Sequence, residues 1–347
     1  MATTLERPIV DARPISRPPT KREIYSDRGF RLLTGLFAWA TVALLVFIVL
    51  EIGAKAVPSM KTEGLGFITG KVWDANAQQY GILPQIWGTL YSSAIALVIG
   101  SILGVAVAVF LSERFLSTAV FKLLKVFGKQ FHPFWGKLPD QLDALLKNLI
   151  ELLAAIPSVV YGLWGIFVII PLIRPPCNWL HDHLGWIPLF GTSLSGPGML
   201  PASLVLAIMI LPTISAISRD ALVAVPPKLR EAAYGLGATR WEAILGVIVP
   251  TAQIGIIGSI LLAFGRALGE TMALAMLVGN ANVISVSLFS PGNTLAALLA
   301  NNFPEANKAN VGVLMYAALV LMAITLVVNI FGSLVLQHSA ARTRGAR

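Results

Sequence analysis

The sequence predicts an all-α integral membrane protein with six transmembrane helices and both termini in the cytoplasm. Three observations carry that expectation: a composition short of charge, apolar runs of membrane-spanning length, and a one-sided distribution of Lys and Arg. The chain has 347 residues, of which 56% are hydrophobic and 12% charged, with a mean hydropathy of +0.76. A water-facing surface draws on about 25% charged residues, so this chain has half the charge such a surface needs. The formal net charge is +9. No basic patch interleaved with aromatic residues lies on an amphipathic element, so no nucleic-acid partner is expected; the natural partner of so apolar a surface is membrane lipid. Cys177 is the single cysteine, which leaves no intrachain disulfide and no cysteine metal cluster.

A helix needs about 20 apolar residues to cross the hydrocarbon layer. Six segments meet this length: Leu32–Val57, Ile86–Leu111, Leu149–Ile173, Leu200–Ile217, Val247–Gly279 and Val311–Leu336. The first follows thirty largely polar residues and is too long for a cleaved leader despite the small residues flanking Lys55, so it reads as a retained anchor. Seven Lys/Arg precede it, six lie in the second loop, four in the fourth loop and three in the C-terminal tail; the alternate loops hold three, one and one. Positive charge marks the cytoplasmic side. The resulting organisation is a basic, largely disordered tail over residues 1–30, a transmembrane domain over 31–336, and a short basic tail over 337–347. The domain includes a cytoplasmic insertion at about 114–145 and a cytoplasmic loop at 218–246.

The insertion places Leu116, Val120, Leu123, Leu124 and Phe127 at helical spacing, with Lys122, Lys125 and Lys129 between them. That pattern suits a helix lying along the anionic cytoplasmic leaflet, or equally a basic loop packed on neighbouring helices. Gly100 and Gly104 permit close helix packing, and Pro157 and Pro212 are expected to kink their spans. His132, His181, His183 and His338 are expected in loops or the tail. His181-x-His183 lacks a third ligand and reads as polar surface, so no metal or other cofactor is expected.

In the fourth loop, Pro226-Pro227 is suited to open a helix, with Glu231 near its positive end. Gly235 and Gly237 interrupt the helix within two residues. A second short helix over Arg240–Ile244 then leads to Pro250. The expected product is a rigid bent helix pair that protrudes between two spans, a shape for docking another protein. In the fifth span, Arg266 and Glu270 are four residues apart and would share one helical face. Ionised groups at membrane depth cost at least about 2.5–3.5 kcal/mol each and face a partner or a pathway. They form either a structural ion pair or an anion pathway. In the second case Arg266 offers planar donors to an oxyanion, and Glu270 holds the arginine or prevents tight trapping. Gly265 and Gly269 would permit a bend beside them.

Glu231-Ala232-Ala233, Gly237 and Val247-x-Val249-Pro250 resemble the E-A-A-x3-G-x9-I-x-L-P loop of type I ABC-importer permeases, with Val247 and Val249 where Ile and Leu are usual. Several further motifs narrow the resemblance to the PstC family of phosphate-importer permeases. They are Ala155–Gly162, Leu211-Pro212-Thr213-Ile214, Gly265–Ala273 (the most specific) and Asn293-Thr294-Leu295-Ala296. The resemblance runs from about residue 30 to 336 and implies the type I importer fold in a bacterial inner membrane. It implies that Glu231, Ala232, Ala233, Gly237 and Arg240 belong to a coupling loop that seats in an ATP-binding subunit, and that Arg266 and Glu270 matter for transport. It further implies a second, PstA-like permease chain, two PstB-like ATP-binding subunits and an extracytoplasmic, PstS-like phosphate-binding protein, with no catalytic residue in this chain. The insertion at 114–145 looks longer than the family norm and inherits no role.

Two other readings keep part of this picture. The cargo is another oxyanion, such as sulfate or molybdate, or the chain is a secondary transporter with Arg266 and Glu270 as ion-coupling groups; the Glu231–Pro250 loop argues against the latter. An intramembrane enzyme finds no support, since His-Glu-x-x-His, Gly-x-Ser-x-Gly and paired intramembrane aspartates are all missing from the sequence. Gly66-x3-Gly70-Lys71-Val72 is one residue short of a phosphate loop and lacks its Ser/Thr, so ATP is hydrolysed elsewhere.

Overall fold

The computed structural model describes residues 20–75, 77–118, 120 and 138–345. Residues 1–19, and most of the amphipathic stretch Phe115–Lys129, lie outside the described residues. Two compact units are present, residues 1–52 and 53–347. The first is the leading part of helix α1 (Lys21–Glu63), which begins ten residues ahead of the predicted tail boundary. Its side chains from Leu32 to Leu50 are almost all exposed, Trp39 and Leu32 among them. Such a surface is stable against lipid or another apolar helix and not against water.

The second unit opens with the last turns of α1, followed by the short helix α2 (Gly66–Thr69) and a two-residue hairpin, β1 (Trp73–Asp74) against β2 (Gln79–Tyr80). Helix α3 (Leu83–Ser112) starts on Pro84. An amphipathic helix α4 (Leu138–Ala155) precedes a span made of α5 (Ser158–Trp164), a π-helical turn over Gly165–Ile169 and α6 (Ile170–Leu184). Helix α7 (Met199–Val223) leads to the short helices α8 (Pro227–Gly235) and α9 (Arg240–Ala243). A second π-helical turn, Ile244–Ile248, joins α9 to α10 (Val249–Leu268). Then come α11 (Met272–Leu277), an extended segment, α12 (Leu295–Asn302) and α13 (Lys308–Gly345).

Among the described residues six helices are long and apolar enough to cross a membrane, in agreement with the predicted number. The third is displaced: it runs over Ser158–Leu184 and not Leu149–Ile173. Two features of the sequence hid it. The apolar run Leu149–Ala155 belongs to the separate helix α4, which Pro157 terminates with an extended backbone (φ −58°, ψ 139°) where a kink was expected. The true span carries Arg174, His181 and His183 and is the least apolar of the six. His181 and His183 are therefore helical, not in a loop. Their Nδ1 atoms meet the carbonyls of Phe190 at 2.7 Å and Trp179 at 2.8 Å.

Helix α7 is the central element. Within its apolar window 61% of the residues are buried, against 28% or fewer in every other span. It packs most closely on α3, where the two predicted glycines lie. A Cβ on Gly100 would lie 2.8 Å from Ile210 Cγ1, and one on Gly104 would lie 2.8 Å from Ile214 Cβ. Large side chains on α7 fill the grooves that small residues leave on α3. The principal core joins α3, α5, α7, α10 and α11 through residues such as Ala96, Tyr161, Ile210, Ile214 and Leu277. A second cluster, Ala108, Leu222, Val225, Ile244, Ile248, Ala252 and Ile256, sits beneath α8 and α9.

Candidate functional site

Two places bring together the residues that the sequence singles out. The first is an interruption of the fifth span. Helix α10 ends at Leu268, Gly269 takes up the cap at φ −93° and ψ 0°, and the chain re-enters a helix only at Met272. The expected bend is thus a break, and Gly269 makes it; Gly265 stays helical, with its Cα side turned to the Asn329 amide. Arg266 and Glu270 do not share a helical face, because the helix stops two residues before Glu270. Arg266 is exposed and Glu270 half-buried.

Arg266 Nη1 donates a long hydrogen bond of 3.4 Å to Thr213 Oγ1. Thr213 is the fifteenth of the 25 residues of α7, so Arg266 is level with the middle of a spanning helix. Among the described residues Arg266 forms no ion pair. Glu270 Oε1 instead accepts weakly, at 3.5 Å, from the Ala273 backbone N–H, and Thr271 Oγ1 donates to the Gly269 carbonyl at 3.1 Å. Irregular backbone at membrane depth is tolerated where it is buried in protein or lines a polar cavity. A free guanidinium there supplies up to five N–H donors that stay charged when water is removed.

The second place is the bent pair α8–α9. Pro226 holds an extended backbone (φ −54°, ψ 132°) and Pro227 opens α8 as expected. Glu231 is the fifth residue of that helix, just past its first turn where the positive N-terminal end acts, and its side chain is exposed. The turn follows at Gly237, whose φ of +86° is a backbone region costly for any residue with a Cβ. Thr239 then closes a capping box: its Oγ1 accepts from the Glu242 N–H at 3.4 Å and the Glu242 carboxylate accepts from the Thr239 N–H at 2.7 Å. Ala232 faces outward beside Glu231, while Ala233 is buried and seats the helix. Leu236, at the tip between the two helices, is 91% exposed. Arg240 turns inward and lies over the Phe115 ring, 4.0 Å from its centroid.

Reasoning from sequence missed four participants. Thr213 was visible as part of Leu211-Pro212-Thr213-Ile214, but nothing in the pattern paired it with Arg266. Ser218 and Ser259 meet across α7 and α10 at 2.8 Å, both fully buried; single serines in apolar helices give no signal of who faces whom. Leu236 is an apolar residue in a loop, and its exposure is decided by the turn.

Comparison with known proteins bears on both places. The family model described as the binding-protein-dependent transport system inner membrane component matches residues 134–345, which include α8, α9 and the break at Gly269. The chain is 40% identical to the phosphate transport system permease protein PstC of Haemophilus influenzae, across 88% of this chain and 92% of that one. It is 36% identical to the protein of the same name from Xylella fastidiosa, across 91% and 92%. Among solved structures, an inward-facing crystal form of the MetNI methionine ABC transporter covers 74% of this chain and 95% of its own with a TM-score of 0.51 at 18% identity, which speaks to fold alone. The chain belongs to the family of binding-protein-dependent inner-membrane transport components, on its PstC branch, and is a multi-pass permease that works as one subunit of an ABC importer whose ATPase is a separate chain.

Proposed function

We propose that this chain forms one half of the path by which an ATP-driven importer moves inorganic phosphate into the cell, with Arg266 as a transient anion site in that path. The observation that carries the reading is the state of Arg266: mid-depth, exposed, beside a broken helix, and held by nothing stronger than a 3.4 Å bond to Thr213. Among the described residues no ion pair joins Arg266 to Glu270. A charge left unpaired at this depth is costly unless something else meets it, and a tetrahedral oxyanion matches the guanidinium fork. Glu270, one break away, limits how tightly an anion is trapped. The relatives' names supply phosphate as the oxyanion.

The exposed face of Arg266 would meet a second, PstA-like permease chain, completing the path. Glu231, Ala232 and Leu236 present the docking face for a PstB-like ATPase, two copies of which serve the two permease chains; Ala233, Gly237 and Arg240 hold that face in shape. A PstS-like binding protein delivers phosphate at the opposite end. In this arrangement α8, α9 and both termini are cytoplasmic, as the Lys/Arg distribution predicts. The transmembrane domain at 31–336 is extended by an insertion at 114–145 and flanked by the tails 1–30 and 337–347.

The test is uptake of radiolabelled phosphate by cells that lack their own importer and carry this chain with its partners. Arg266→Gln should abolish saturable uptake while the complex still assembles, and labelled sulfate should not enter in either case. Wild-type uptake of sulfate but not phosphate would replace the cargo; uptake that persists without the ATPase would replace the mechanism.

A further inference from the structure

The end of α3 is fastened to the α8–α9 pair by a buried charge that neither the motifs nor the transport path accounts for. Glu113, just past α3, has a side chain only 6% exposed, and its carboxylate accepts from Arg230 Nη1 at 2.5 Å. Arg230 lies one residue before Glu231 in α8. Its other terminal nitrogen donates to the Leu222 carbonyl, in the last turn of α7, at 2.8 Å. The backbone carbonyl of Glu113 accepts in turn from Arg240 of α9. Arg240 covers the Phe115 ring, and Phe115 stacks on Trp241 with centroids 5.4 Å apart and on Phe110 of α3 at 5.9 Å. Arg114, between the two anchors, takes a positive φ of 48°, so the chain turns sharply to place both.

From this arrangement we infer that Glu113, Arg230 and Arg240 form a rigid joint that carries displacement of the α8–α9 pair into α3 and α7. The inference rests on the reading that α8 docks the ATPase. Residues 113–115 grip both limbs of the bent pair, α8 through Arg230 and α9 through Arg240 and Trp241. Arg230 simultaneously holds the end of α7. Helices α3 and α7 are themselves locked together at Gly100 and Gly104. A push on α8 therefore cannot be absorbed by the loop before α8, since the guanidinium of Arg230 bridges from α8 to α3 and α7 at once. Planar, bidentate use of one guanidinium is the property that lysine lacks. The joint also gives the start of the long second loop a role: its first three residues are part of the transmission, whatever follows them. These are positioning residues, since none touches the transported anion.

The test uses the full importer in proteoliposomes, with Glu113→Gln and Arg230→Lys beside wild type, and phosphate moved per ATP hydrolysed as the readout at equal amounts of assembled complex. Glu113→Gln keeps the shape and a hydrogen bond but removes the charge, and should lower that ratio about tenfold while the ATPase is still recovered with the permease and still hydrolyses ATP. Arg230→Lys should sit between this variant and wild type, because it keeps the charge and loses the bridge to Leu222. A merely structural role would lower the quantity of complex and leave the ratio of the surviving complex unchanged; that result overturns the joint. If Glu113→Gln does not accumulate, the ratio measured for Arg230→Lys decides in the same way. Unchanged ratios with the ATPase bound refute the joint and leave the docking reading intact. A wild-type permease that recovers no ATPase refutes both.

Discussion

The tight crossing of α3 on α7 makes a prediction whose sign is unusual. Replacing a helical glycine by alanine ordinarily stabilises, by about 1 kcal/mol in a helix interior. At Gly104 the new methyl group would lie 2.8 Å from both Cβ and Cγ2 of Ile214. Carbon atoms rest about 3.5–4.0 Å apart, so the helices must separate locally by about 0.7–1.2 Å. Ile214 cannot swing clear, because the contacted atoms are at the root of a β-branched side chain with one strongly preferred rotamer in a helix. Overpacking of this kind costs about 1–3 kcal/mol, which set against the propensity gain of about 1 kcal/mol leaves Gly104→Ala destabilised by about 1 kcal/mol at the middle of that range and about 2 kcal/mol at its top. Gly258 in α10 is the control: its nearest neighbour to an added Cβ is Leu336 Cδ1 at 4.0 Å, so only the favourable propensity change of about 1 kcal/mol remains. Thermal unfolding of the purified complex, followed by loss of the monodisperse peak on size-exclusion chromatography, reads both. Gly104→Ala should lower the midpoint by about 2–5 °C and Gly258→Ala should hold or raise it. Equal shifts in the two variants, or a rise for Gly104→Ala, would refute the claim that steric fit at this crossing dominates.

Two further predictions concern the bent pair. Leu236→Asp replaces an almost fully exposed apolar tip, so the thermal midpoint of the permease should not change. Recovery of the ATPase in a pulldown should fall about tenfold or more if the tip fills a pocket on that subunit, as central apolar anchors do; normal recovery would remove Leu236 from the docking face. Thr239→Ala deletes the hydroxyl half of the capping box and leaves the backbone N–H that donates to the Glu242 carboxylate, and should cost about 1 kcal/mol. Hydrogen exchange should then be faster over Arg240–Ala243 than over α8, and uniform exchange would contradict a local role for the cap.

The sequence made the number of spans, the small-residue spacing of α3 and the bent α8–α9 pair legible because each depends on near neighbours in the chain. Apolar length, a Pro-Pro start and a Gly at the turn act locally, and the structure has the helix starting at Pro227 and the turn at Gly237. What failed was continuity. In the sequence Leu149–Ala155 and the residues beyond Pro157 read as one span, and Arg266 and Glu270 as one face, because periodicity is blind to where a helix stops. In both places the stop follows from a backbone state that a proline or glycine permits but does not dictate. The partners of the charged residues were illegible for another reason. Glu113 and Arg230 are 117 residues apart, and the choice between a solvated glutamate and a buried one is made by the packing of α3, α7 and α8 together.

The two candidate places are joined by a single element. Helix α10 starts at the base of the α8–α9 pair, just beyond the capping box, and ends two residues after Arg266. It packs along α7 with Gly255 against Ala221 and with the buried Ser218–Ser259 hydrogen bond between them. Polar pairs buried between helices fix their register, since sliding by one turn would leave both hydroxyls without each other. In the proposed mechanism, displacement at the base of α10 would reach Arg266 along that helix, which follows the π-helical turn at Ile244–Ile248. Such turns are frequent at functional sites within helices, and this one lies at the boundary between the α8–α9 pair and the span. Arg266 is held to α7 by one long bond to Thr213, far weaker than the contacts that bind α10 to α7 below it. When the base moves, the arginine is the part free to change partners, which is the property a transient anion site requires.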